Sequence, residues 1–176
     1  MSAADELRAL QAALAAEHAA VYGYGVVGGR IREERRTEAR SGYDAHRAQR
    51  DALMREVHDR GATPVAASAG YALPFPVADS VAAVRLAAEL EDRVSGVYSD
   101  LVRATAGARR REAAVALREA AVRAVRWRGG GVAFPGLAER AERTETAAAG
   151  APGRSGHSPA PGPSPERVRS SSTPSR

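Results

Sequence analysis

Two glutamates, Glu17 and Glu91, stand on helical faces that are otherwise almost wholly apolar, and one histidine, His46, stands on a third such face. The residues three, four and seven positions from Glu17 are Leu10, Ala13, Leu14, Ala20, Val21 and Tyr24; those around Glu91 are Val84, Ala87, Ala88, Val94, Ser95 and Tyr98. Such spacing turns both carboxylates inward. A bare carboxylate there costs several kcal/mol or more unless it is paired, protonated or bound to a metal. Inward glutamates on helical bundles are the usual scaffold for carboxylate-bridged metal pairs. One reading therefore makes Glu17 and Glu91 the carboxylate ligands and His46 the nitrogen ligand of iron or manganese, with oxygen or peroxide chemistry as the activity. The other closes the same groups on one another. Glu17 and Glu91 then accept hydrogen bonds from His46, His18, Tyr22, Tyr43 or Tyr98, and the polar cluster fixes helix register.

A full dimetal set would need a Glu-x-x-His from each of two further helices. Tyr43 stands three residues before His46, and Val122 three after Glu119, so both pairs are incomplete. The expectation is a non-catalytic structural or interaction module with a degenerate metal site; the alternative is a working metal-binding protein or oxidase. Glu119 is placed at the edge of the buried face. His18 is expected to donate to a neighbouring helix, His58 to sit near a helix C-terminus, and Trp127 and Phe134 to fill a bundle end.

Four helical segments must position these residues. The first runs from about Ala3 to Ile31 on the seam Leu7, Leu10, Leu14, Glu17, Val21, Tyr24, Gly28 and Ile31. The second spans about 34–59 and stops at Gly61. The third opens near Val77, with Asp79 or Ser80 to help its first turn, and continues to about Thr105. The fourth spans about 108–127, ending at Gly129-Gly130-Gly131. The short links around 32–35 and 106–107 force antiparallel hairpins. The 61–76 connection could extend about 50 Å at roughly 3.3 Å per residue, more than the length of a 26-residue helix. The expected fold is therefore all-α, with two hairpins joined by one long crossover between helices 2 and 3.

The chain has 176 residues, no cysteine and no lysine. Disulfides and thiolate chemistry are excluded. No signal-like or membrane-length apolar run is visible, which points to a cytoplasmic protein without a membrane partner. Net charge is +5, of which residues 150–176 hold +3 through Arg154, Arg167, Arg169 and Arg176 against Glu166. That stretch has six prolines and seven serines with Val168 as its one large aliphatic residue. The expected division is a 1–143 bundle and a disordered 144–176 tail. Nucleic acid is a poor fit for so modest a charge without aromatics; a homodimer is the simpler expectation. Gly25-Val26-Val27-Gly28-Gly29 follows no strand, so no phosphate-cradling loop is expected.

The stretch from Leu10 to Gly28, with Ala16-Glu17-His18-Ala19-Ala20-Val21-Tyr22 at its centre, resembles an uncharacterised ferritin-like domain family of actinobacteria. The likeness continues through His46-Arg47, the 64–76 connector, the 91–98 segment and the 127–137 end, covering roughly residues 5–138. It implies a ferritin-like four-helix bundle, whose superfamily metal ligands would fall on Glu17, His46, Glu91 and Glu119.

Overall fold

The computed structural model describes residues 2–129. Phe134, expected at a bundle end, the boundary near residue 143 and the Pro/Ser-rich tail lie outside the described residues. Within them are four long helices: α1 (Ala3–Arg30), α2 (Arg36–Asp59), α3 (Ser80–Ala104) and α4 (Gly107–Arg128). No strand occurs among the described residues, and no described helix is long and apolar enough to cross a membrane.

Local chemistry sets the helix ends. Ser2 caps α1: its hydroxyl accepts from the Asp5 N–H, while the Asp5 carboxylate accepts from the Ser2 backbone N–H. Ile31 leaves α1 in an extended conformation, and a single 3-10 turn, Glu33–Arg35, swings the chain into α2. Gly61 (φ +74°) ends that hairpin. Asp79 caps α3 through the Ala82 N–H, so α3 opens three residues later than the Val77 expected from the proline positions. Gly129 (φ +75°) terminates α4.

The connection from residue 60 to 79 travels along α1 from one end to the other. Near its start Gln11 donates to the Thr63 carbonyl and accepts from the Val65 N–H, at 2.7 and 2.8 Å. Tyr71 stacks beside Tyr22, and at the far end Ser80 accepts from the Arg32 N–H. Leu73, Phe75 and Val77 pack their side chains onto the core at every second residue, as an extended strand-like segment does. α3 therefore starts where α1 ended and runs antiparallel to it, as the crossover expectation required. α1 packs on α2 and α3, and α3 on α4. α4 is bridged by long side chains to α2 and to the turn before it: Arg109 reaches Glu56 at 3.0 Å, and Arg35 of the 3-10 turn donates to the Arg126 and Trp127 carbonyls.

The apolar core falls into two clusters. One holds Leu10, Leu14, Leu53, Val57, Val94, Tyr98 and Leu101; the other holds Tyr24, Val27, Ile31, Leu86, Leu90 and Trp127. Glu17, His46, Glu91 and Ser95 form a buried polar layer between them. The α1 seam differs from expectation at one turn, where Val27 is buried and Gly28 is exposed.

Candidate functional site

Glu17 on α1, His46 on α2 and Glu91 on α3 converge with essentially no solvent exposure. His46 lies between the two acids: its Nδ1 donates to Glu17 Oε2 at 2.7 Å and its Nε2 to Glu91 Oε1 at 3.2 Å. An ionised carboxylate can only accept, so with both acids ionised each ring nitrogen carries hydrogen and the ring is an imidazolium. Burial is the largest single influence and acts to lower the His46 pKa, but the hydrogen bonds and charges of Glu17 and Glu91 outweigh it, and the pKa is pushed up to about 9.

Glu91 Oε1 is the hub. It also accepts from the Tyr24 hydroxyl at 2.5 Å and from Arg123 Nε, on α4, at 2.7 Å. Burial tends to raise the Glu91 pKa, yet His46 and Arg123 hold it below the usual carboxylate value. Arg123 in turn is desolvated, which opposes its charge, but Glu91 beside it raises its pKa. Glu17 Oε1 accepts from the Tyr98 hydroxyl at 2.8 Å. Burial first, and the adjacent carboxylate next, push both Tyr24 and Tyr98 up, so both phenols keep their protons. The Trp127 indole donates to the Tyr24 hydroxyl at 2.8 Å, and Arg35 covers the indole face at 4.1 Å.

Two small residues make this packing possible. A Cβ on Gly42 would lie 2.4 Å from Tyr24 Cε1 and 2.9 Å from its hydroxyl, so the bare α2 backbone is what admits the Tyr24 ring. Gly23 is needed in the same way against Leu90.

Counted together, two carboxylates face one imidazolium and one guanidinium, and the layer is electrically neutral. Its groups form a salt-bridge network. Among the described residues no group of three or more His, Cys, Asp or Glu is arranged to hold a metal ion. Within this layer one atom departs from full satisfaction: Glu91 Oε2 is buried with no hydrogen-bond partner among the described residues.

The three residues singled out from the sequence are thus brought together, and His46 and Tyr98 are donors to the acids as expected. Tyr22 and Tyr43 are not; Tyr22 is exposed against Tyr71, and Tyr43 lies half-buried with Arg47 over its ring. His18 pairs with the Val65 carbonyl at 3.2 Å, on the crossover and not on a neighbouring helix. Glu119 and Val122 are both exposed, so the fourth ligand position implied by the ferritin resemblance points to solvent. Asp92, one residue on from Glu91, is half-buried and paired with Arg128. Arg123 and Tyr24 were the partners that sequence reasoning missed. The signal for Arg123 was its place between Ala116, Ala120, Ala124 and Trp127, the stripe that α4 buries.

The fold and its interior define the class: an all-α four-helix bundle with a crossover and a buried, charge-neutral polar layer. Within that class the chain belongs to the family described as a domain of unknown function, DUF4439, whose model matches residues 9–139. It is similar to the crystal structure of a conserved hypothetical protein, rv2844, from Mycobacterium tuberculosis, at 34% identity and a TM-score of 0.71. That likeness covers 73% of this chain and 98% of the other. No curated protein matches.

Proposed function

We propose that the chain is a non-catalytic bundle of the ferritin-like type, acting as a structural or interaction module, in which protein cations hold the position of metal ions. The observation that carries this reading is His46 donating from both ring nitrogens to two buried carboxylates while Arg123 binds the second of them. A layer that balances its own charge needs no external cation, and truncating any one member leaves the others uncompensated. The crossover topology supports the ferritin-like assignment, although fold alone transmits no activity. A cytoplasmic setting and self-association, as expected from the sequence, belong to the same proposal.

One observation favours a second reading, a metal-binding protein using Glu17, His46 and Glu91: the unpartnered Oε2 of Glu91 leaves a carboxylate oxygen available. For that reading to hold, His46 must shed a proton and Arg123 must withdraw.

The two readings separate in one experiment. Untagged protein, purified after growth with added iron and manganese, is analysed for bound metal and for the protonation of the His46 ring by nitrogen NMR. The expected result is less than a tenth of a metal ion per chain and an imidazolium at neutral pH. Near-stoichiometric iron or manganese that disappears in Glu17→Gln would overturn the proposal in favour of the metal reading.

A further inference from the structure

An open groove of about 500 Å³ runs between the C-terminal half of α1 and the N-terminal half of α2. That volume lies within the range of small-molecule sites. Gly25 and Gly28 line it on the α1 side, and a Cβ built on either would meet nothing within 4 Å. Glycine inside a helix lowers stability relative to alanine. Gly23 and Gly42 are required by a close approach, but no neighbour requires Gly25 or Gly28; what they create is the trough itself. Tyr24 and Tyr43 are among its lining residues, and the lining is mainly apolar.

Two arginines stand on the rim. Arg36 and Arg40 stand one turn apart on α2, both lining the groove. Their acid partners are Glu33 at 2.6 Å and Asp44 at 3.5 Å, and all four side chains are more than half exposed. Exposed pairs of this kind contribute little and exchange partners readily. A guanidinium presents a planar fork that suits a carboxylate in two-point contact.

We propose that this groove binds an elongated apolar molecule carrying a single carboxylate head. The apolar body lies along Gly25 and Gly28 beside Tyr43, and the head meets Arg36 and Arg40. The inference is independent of how the interior network is read.

The structure supplies a reporter. Trp127 is the only tryptophan, and its indole is bonded to the hydroxyl of Tyr24, which borders the groove. The intact chain is titrated with decanoate below its micellar concentration and, separately, with decanol, followed by Trp127 emission and by calorimetry. One saturable decanoate site is expected, with decanol at least tenfold weaker. Gly28→Leu fills the trough and should weaken decanoate at least tenfold; the Arg36→Gln/Arg40→Gln double variant should weaken decanoate to the level of decanol while leaving decanol unchanged. The proposal is overturned by the absence of any saturable signal, by equal affinity for decanol and decanoate, or by decanoate binding undiminished in both variants.

Discussion

Raising the pH from about 6.5 to 9 should strip the protein of one identifiable stabilising contribution, that of the His46 charge. An unfolded histidine titrates near 6.5, and in the folded chain Glu17 and Glu91 push the His46 pKa up to about 9. Each unit of difference corresponds to about 1.4 kcal/mol, so the ionised ring contributes about 3 kcal/mol to folding. Below pH 6.5 both states hold the proton and the contribution is fully present. Between 6.5 and 9 only the folded state holds it, so stability falls with a slope approaching 1.4 kcal/mol per pH unit. Above 9 the contribution is gone. Burial of the ring keeps solvent screening small. Urea unfolding at pH 6, 7, 8 and 9 should show this decline, and the carbon and nitrogen shifts of the His46 ring should titrate with a midpoint well above 6.5. Stability that is flat or rising over this range, together with a ring that titrates at or below 6.5, would refute the charge network. On the acid side the sign reverses: Glu91, held below the usual carboxylate value, stabilises above its unfolded pKa, and that contribution disappears as pH falls through the folded one.

Two substitutions probe the same layer from its edges. Tyr98→Phe removes the hydroxyl that Glu17 Oε1 accepts from, and a hydrogen bond to a buried charge is worth about 1.5–3 kcal/mol; thermal melting should fall accordingly with the helical circular dichroism unchanged. Gly42→Ala places a methyl 2.4 Å from the Tyr24 ring, so the ring must retreat at a cost of about 1–3 kcal/mol. Because the Trp127 indole is bonded to that tyrosine, its emission should shift in the same variant; unchanged emission would contradict the tight α1–α2 approach.

How much of this was legible depended on how far each side chain reached. Glu17, His46 and Glu91 are short enough that a buried head requires a buried Cα, so the periodicity of their apolar neighbours located them. Arg123 is different. Its long stem starts at the margin of α4 and carries the guanidinium inward, while the face α4 buries is built from Ala113, Ala116, Ala120 and Ala124 with Trp127 at the end. A stripe of alanines flanked by arginines gives weak contrast, which is why the sequence places Glu119 at the edge of the buried face and does not single out Arg123. The crossover was visible as a span of sufficient length. Its seat on α1 was not, since the Gln11 bonds to Thr63 and Val65 and the His18 pairing depend on backbone groups more than 45 residues away. The offset of Val27 for Gly28 follows from the 3.6-residue turn drifting off a strict heptad.

The way the four charges are divided between the hairpins has a consequence for assembly. Glu17 and His46 belong to the α1–α2 pair, Glu91 and Arg123 to the α3–α4 pair. Each half carries one anion matched to one cation of its own, so when the halves dock, neither has to surrender water from a lone ion before its counterpart arrives. The bonds that cross the divide, from His46 and Tyr24 to Glu91 and from Tyr98 to Glu17, then act as a key, rewarding the one alignment in which both couples lie at the same height.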